Sequence, residues 1–214
     1  MEIVVIDYNI GNVRSIINAL NRIGIDPILS NKQDDIMSAD GLILPGVGAF
    51  AHGMENLHKY NLVKIIKEYA NTNKPFIGIC LGMQMLLDES EEFTNTKGLG
   101  LISGKVIKLP VQNLNCEKLP HVSWNEIKEK NIKWDGTILD KIKPQSDMYF
   151  VHSFIACPEN QNEILSITEY SNYEFCSLLK KGNIYGCQFH PEKSGAIGLK
   201  IIENFIKICK ENMK

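Results

Sequence analysis

Cys80 lies between Gly78 and Gly82 in the stretch NKPFIGICLGMQMLLD, residues 73–88, and its placement is the first sign of chemistry in the chain. The run from Pro75 to Ile79 is short, apolar and partly β-branched, as a buried strand would be, while Leu81, Met85 and Leu86 recur at helical spacing. Cys80 therefore falls on a strand-to-helix corner. Gly78-Ile79-Cys80-Leu81-Gly82 has the form G-x-C-x-G, the thiol counterpart of the nucleophile elbow, in which small neighbours permit a strained turn that lifts the nucleophile clear of a sheet. A helix starting there would aim its unpaired N–H groups at the sulfur and favour thiolate over thiol. A small cysteine buried between packing glycines gives the same pattern, so a base must decide between them.

A candidate base stands in GCQFHPEKSG, where His190 and Glu192 are two residues apart. In an extended segment such residues project to one side, and Pro191 would stiffen the backbone between them. Glu192 could then accept from one imidazole nitrogen and leave the other for Cys80. A third part is LILPGVGAF, residues 42–50, a strand running into glycines that let backbone amides approach a ligand. A cysteine attacking a carbonyl needs such donors for the oxyanion; the amide of Leu81 and one from Val47-Gly48 are the candidates.

These residues need a scaffold that brings strand ends together. EIVVID, DPILS and GLILP read as strands. Asn12 is placed to cap a helix with Val13, Ile16, Ile17, Leu20 and Ile23 on one face, NLVKIIKEYAN reads as a second helix, and FIGIC is again a strand. Strands separated by helical crossovers imply a mostly parallel sheet flanked by helices, with sites at the carboxyl ends of its strands, where Cys80 and PGVG both fall. From about Gly98 the texture becomes more antiparallel, and a helix from about Ala196 closes the chain with Ile201, Ile202, Phe205, Ile206 and Cys209 as its apolar stripe. The whole of 1–214 reads as a single domain of an α/β fold.

The composition narrows the function. A formal charge of −2 without any basic block makes nucleic acid an improbable partner. Cysteines at 80, 116, 157, 176, 187 and 209 form no C-x-x-C pair, which fits a reducing cytosol, and those other than Cys80 read as inert packing. No metal or organic cofactor is expected. The opening MEIVVIDYN lacks a basic region and no apolar run approaches membrane-spanning length, so a cytoplasmic protein without membrane contact is expected.

PGVGAF, GICLGMQMLL, HVSWNE, YFVHSF and GCQFHPEKSG, in this order along nearly the whole chain, resemble the class I glutamine amidotransferases. Within that family the likeness is greatest to the branch that supplies ammonia for histidine biosynthesis, to which PGVG and the opening DYNIGNVRS point. The resemblance implies a flavodoxin-like glutaminase with Cys80 as nucleophile, His190 as acid and base and Glu192 as its orienter. It implies that Gln84, Glu92, His152, Ser153 and Phe154 hold the glutamine substrate, positions that would otherwise pass, for Gln84 and Glu92, as surface helix. It also places His121, Trp124 and Asn125 in a loop that joins Lys193 at the interface with a (β/α)₈ cyclase, the partner in a heterodimer. That partner would use ammonia to make imidazole glycerol phosphate and an aminoimidazole carboxamide nucleotide. Departures from the family pattern are Val122 and Ser123, where PHMGWN is usual, and Phe154, where tyrosine is usual. Alternatives are a paralogue that feeds amidination of a bacterial surface sugar, and a stand-alone cysteine hydrolase or stress protein of the same superfamily. His52 and His58 match nothing in the family and read as solvated.

Overall fold

The computed structural model describes residues 1–111, 118–130 and 132–213; Cys116 lies outside them. The first half runs β1 (Ile3–Ile6), α1 (Val13–Arg22), β2 (Ile28–Ser30), α2 (Gln33–Ser38), β3 (Gly41–Leu44), α3 (Phe50–Lys59), α4 (Leu62–Ala70), β4 (Phe76–Ile79) and α5 (Leu81–Met85). It continues with β5 (Glu89–Ser90), β6 (Thr96–Lys97), β7 (Gly104–Lys108), β8 (His121–Glu129), β9 (Ser146–His152) and β10 (Phe154–Pro158). The remainder is β11 (Ile164–Tyr170), β12 (Tyr173–Lys181), β13 (Ile184–Cys187) and α6 (Gly195–Asn212).

One nine-stranded sheet has the order β2-β1-β3-β4-β13-β12-β11-β8-β9. Its pairings are parallel from β2 through β13 and antiparallel from there to β9. The parallel half thus has a doubly wound order, in which ligands gather at the carboxyl ends of the strands. β10, β7, β5 and β6 form a smaller sheet.

The parallel strands are buried on both faces because successive residues feed opposite layers. Ile3 and Val5 enter one core with Ile16 and Leu20 of α1 and with Ile201, Phe205 and Cys209 of α6. Val4 and Ile6 enter the other with Phe50, Leu57, Ile66 and Met85 from α3, α4 and α5. The C-terminal helix carries the stripe as read and begins one residue earlier, at Gly195. Asn12 occupies the position before α1, yet its side chain makes no capping hydrogen bond, because its backbone sits at φ −84° and ψ 64° rather than in the extended conformation a cap requires. Helices α2 and α3 were not legible: α2 is a single short amphipathic turn and a half, and α3 carries polar residues and Gly53 through its middle.

The largest difference concerns HVSWNE, which is a strand, β8, and not a loop. His121 to Ile127 pair residue by residue with His152 to Ser146 of β9. The alternation is inverted from the usual one: His121, Ser123 and Asn125 face inward, while Val122 and Trp124 stand out at 52% and 53% exposure. A strand whose inner face is polar conceals its period in the sequence. No helix among the described residues is long and apolar enough to cross a membrane.

Candidate active site

β3, β4 and β13 are adjacent and parallel, and each delivers one part of the site from its carboxyl end. Cys80 follows β4 at φ 55° and ψ −109°, a conformation that costs a non-glycine residue roughly 1–3 kcal/mol. Its amide is held by the carbonyl of Cys187 at 2.7 Å. The flanking glycines are required by contact: a Cβ on Gly82 would collide with the carbonyl of Leu44, and one on Gly78 with the backbone of Gly82. Helix α5 does begin at the sulfur, although it spans only Leu81–Met85.

His190 follows β13. Its Nδ1 meets Oε1 of Glu192 at 2.7 Å, both side chains being 2% exposed. The pairing is as expected but its origin is not. Pro191–Lys193 form a 3₁₀ turn, with proline at its first position, so the two side chains converge by turning and not by extended alternation. Ser194 straps this turn to β9 by donating to the His190 carbonyl at 2.6 Å and accepting from the Tyr149 amide at 3.0 Å. Burial pushes the His190 imidazole down, but Cys80 and Glu192 outweigh it and the net pKa rises to about 10. Among the described residues, Nε2 of His190 has no hydrogen-bond partner.

After β3, Tyr8 donates to the carbonyl of Pro45 at 2.6 Å and fixes the start of the glycine loop. Gly48, at φ +102°, lets the chain turn into α3. The Leu81 amide, one of the two expected oxyanion donors, points at the carbonyl of Gly46 at 3.4 Å. The glycine loop therefore presents an acceptor, not a donor, to Leu81.

A cavity of about 370 Å³ opens beside the sulfur, lined by Val47, Gly48, Leu81, Gln84, Glu92, His152, Ser153, Phe154 and Lys193 among others. It gathers every residue expected to hold glutamine. Gln84 and Glu92 are buried, at 5% and 9% exposure, and neither is a surface helix residue. Glu92 follows the short strand β5, and its Oε2 accepts from the Phe50 amide at 2.7 Å, placing a carboxylate at the start of α3. Residues 152–154 carry the chain from β9 in the large sheet to β10 in the small one.

His121 does not belong to an exposed surface: it is fully buried, stacked on Phe150 and Tyr170. Its Nδ1 meets Nε2 of His152 at 3.0 Å, and Nδ1 of His152 donates to the Phe154 carbonyl at 3.0 Å. On its other side Nε2 meets Ser123 at 2.8 Å and Asn125 at 2.9 Å. Burial, and then the neighbouring His121, push the His152 pKa down to about 3. Trp124 and Lys193 do lie on one outer face, bridged by Tyr149: the Trp124 and Tyr149 rings are 5.9 Å apart and the Lys193 ammonium is 5.8 Å from the Tyr149 ring.

One residue at the site carried no signal of its own. Gln188, fully buried between Cys187 and Phe189, has its Nε2 3.8 Å from the Cys80 sulfur and its Oε1 3.0 Å from Nε2 of Gln84. A lone polar residue inside the apolar run IYGCQF is the only hint the sequence offers. Burial pushes the thiols of Cys157, Cys176, Cys187 and Cys209 up, away from reactivity. His52 and His58 are exposed. No group of three or more His, Cys, Asp or Glu side chains among the described residues could hold a metal ion.

The family model for glutamine amidotransferase class-I matches residues 4–209. The chain is 45% identical over 208 residues to an imidazole glycerol phosphate synthase subunit HisH 1 of Legionella pneumophila (strain Lens), covering 95% of this chain and 98% of that protein. It is 46% identical over 208 residues to subunit HisH of Methanosarcina barkeri (97% and 99% covered) and 45% identical over 213 residues to that of Pelagibacter ubique (97% and 100%). Among solved structures, a glutamine amidotransferase crystal structure superposes with a TM-score of 0.72 at 16% identity, covering 97% of this chain and 98% of the other. PurLQS from Thermotoga maritima superposes with a TM-score of 0.70 at 20% identity, covering 96% and 97%. At such identities the two structures speak for the fold.

Proposed function

Because this chain belongs to the glutamine amidotransferase class-I family, we propose that it is the glutaminase subunit of an imidazole glycerol phosphate synthase, hydrolysing glutamine to glutamate and ammonia for histidine biosynthesis. The observation that carries the reading is Cys80 on a strained corner beside a buried His190 held at 2.7 Å by Glu192, next to a cavity of about 370 Å³. Relatives of 45% identity bearing that subunit's name support the pathway.

The steps follow from the groups present. The Cys80 sulfur attacks the side-chain amide carbon of glutamine, and His190, stabilised as imidazolium by its neighbours, gives its proton to the leaving nitrogen. Ammonia leaves and a γ-glutamyl thioester remains. A water deprotonated by His190 then attacks the thioester, releasing glutamate and restoring the thiol. Glu92 suits the glutamine α-amino group through its second carboxylate oxygen, while residues 152–154 line the opposite wall.

The oxyanion needs two donors, and here the Gly46 carbonyl occupies the Leu81 amide. That carbonyl and the Val47 N–H belong to one peptide unit, so rotating the unit exchanges acceptor for donor. We assign this rotation to the partner-bound state, which makes the isolated chain a poor glutaminase. Ammonia attacks only while unprotonated, so it is best passed directly to a partner. A cytoplasmic heterodimer with a (β/α)₈ cyclase, bound through the face of Trp124, Tyr149 and Lys193, fits that need. One domain spanning 1–214 is supported by the family match over 4–209 and by the sheet shared between both halves.

The test mixes the chain with the cyclase and its nucleotide substrate. Glutamine should support formation of imidazole glycerol phosphate; Cys80→Ser should block that route while ammonium salt still supports it. If the cyclase never raises glutamine turnover, the histidine reading falls.

A further inference from the structure

We infer that Gln188 is a positioning residue for the nucleophile, its side-chain amide donating to the Cys80 sulfur in an orientation that Gln84 enforces. The inference rests on Cys80 being the nucleophile. Its strength lies in the directions of the hydrogen bonds, which all follow from one backbone carbonyl. The oxygen of Phe154 can only accept, so the Gln84 atom lying 2.9 Å from it is the amide nitrogen. That nitrogen has a second hydrogen, and 3.0 Å away is the side-chain amide of Gln188. The Gln188 atom facing it must accept and is therefore Oε1. Its Nε2 is left to face the sulfur, at 3.8 Å. Gln188 is fully buried and Gln84 is 5% exposed, so neither amide has the freedom of a surface side chain to turn over. The backbone of Gln188 is fixed too, its amide donating to the Ser177 carbonyl at 2.9 Å.

The consequence is chemical. An N–H donor beside sulfur stabilises thiolate more than thiol, because a charged acceptor takes the stronger hydrogen bond. Phe154, whose carbonyl heads the chain of bonds, lines the cavity, so the wall that would receive glutamine and the group that orients the sulfur share one network. The titratable and charged groups around Cys80 are His190 with Glu192 behind it, Tyr8 from the end of β1, and His152, Glu92 and Lys193 around the cavity.

The test follows the pH dependence of Cys80 alkylation by iodoacetamide, located by peptide mapping, in the full-length chain and in Gln188→Met, Gln84→Met and the double variant. Methionine keeps length and volume and removes the donor in Gln188→Met. In Gln84→Met it removes the atom that sets the amide's direction. Both single variants should move the alkylation midpoint upward by about one pH unit, from the size of a hydrogen bond to a charged group. The double variant should move it no further than either single one. In Gln188→Met, glutamine turnover with the partner should fall mainly in kcat, by roughly tenfold at neutral pH. An unchanged midpoint in a folded Gln188→Met, or additive shifts, overturns the inference. If Gln188→Met does not fold, the midpoint in Gln84→Met decides alone, since that side chain bonds Phe154 and Gln188 and not the sulfur. Retained turnover in Cys80→Ala would instead remove the nucleophile itself, a failure separable from this one.

Discussion

Two buried histidines divide the molecule between them. His190 stands at the carboxyl end of parallel strand β13 and has its pKa raised to about 10; His152 ends antiparallel strand β9 and has its pKa lowered to about 3. Burial pushes both down, so the difference lies in the company each keeps. His190 faces a thiol and a carboxylate, either of which gains from an imidazolium. His152 faces a second histidine and donates to a carbonyl that a neutral ring satisfies as well. The parallel half therefore holds a group that keeps its proton at neutral pH, and the antiparallel half holds one that stays neutral as part of a wall. Strand ends supply the chemistry; strand pairing supplies the pocket.

The sharpest way to break this division is at Cys80. Cys80→Ala should lower glutamine turnover by about four orders of magnitude or more, with thermal unfolding nearly unchanged, because one sulfur goes and no packing group does. His190→Ala should cost almost as much, and the double variant no more than either, whereas Glu192→Gln should cost less. Steady-state turnover with the partner present checks all four. Comparable losses from variants of the antiparallel flank would erase the distinction.

That flank should fail differently. His121→Ala removes a fully buried ring stacked between Phe150 and Tyr170 and leaves Nε2 of His152 without its donor. A loss of about 2–4 kcal/mol of stability is expected from cavity and orphaned acceptor together. Urea unfolding measures it, and a drop below about 1 kcal/mol would show that the pair is incidental.

The same division explains what the sequence could disclose. Cys80, PGVG and His190 sit where strands end, and strand ends are written locally, as apolar runs stopped by glycine or proline. His190 and Glu192 stand only two positions apart in one short segment, so their pairing was legible although the 3₁₀ turn that brings it about was not. Glu92 and His121 reach the site through pairings between distant segments: β5 with β7, and β8 with β9. No local pattern encodes those registers. HVSWNE was harder still, since its inward residues are polar and two of its three outward ones, Val122 and Trp124, are apolar, reversing the signal that identifies a strand. Gln188 was hidden for the same reason, as a polar side chain satisfied by another buried amide.

The two histidines also set opposite slopes on stability against pH, a gentler effect of at most about 1.4 kcal/mol per pH unit from each. His190 is raised above its ordinary 6.5, so its contribution is complete below about 6.5 and is lost as pH rises towards 10. His152 is lowered below 6.5, so its contribution is complete above that value and is lost as pH falls towards 3. Unfolding free energies across this range should show His190→Gln flattening the alkaline limb and His152→Gln flattening the acid limb. Were both variants to flatten the same limb, the contrast drawn between the two environments would be wrong.

The smallest effect on the chain alone is expected at the outer face of β8. Trp124 is 53% exposed and touches the ring of Tyr149 edge-on at 5.9 Å, so Trp124→Ala should cost the isolated chain less than about 1 kcal/mol. Its consequence should instead appear with the cyclase. Tyr149 lies between this face and His190: its ring centre is 6.4 Å from that of His190, and its backbone accepts from the His190 amide at 2.9 Å. A partner packed on Trp124 would therefore press on a residue already bonded to the turn that carries His190. Trp124→Ala should weaken stimulation of glutaminase by the loaded cyclase roughly tenfold, the loss of one good aromatic anchor, while alkylation of Cys80 in the isolated chain stays as it was. The two readouts assign the residue to one half or the other. Stimulation unchanged would remove Trp124 from the partner face, and altered alkylation without the partner would mean that the outer strand shapes the surroundings of Cys80 directly, through the bonds between Tyr149 and the His190 turn.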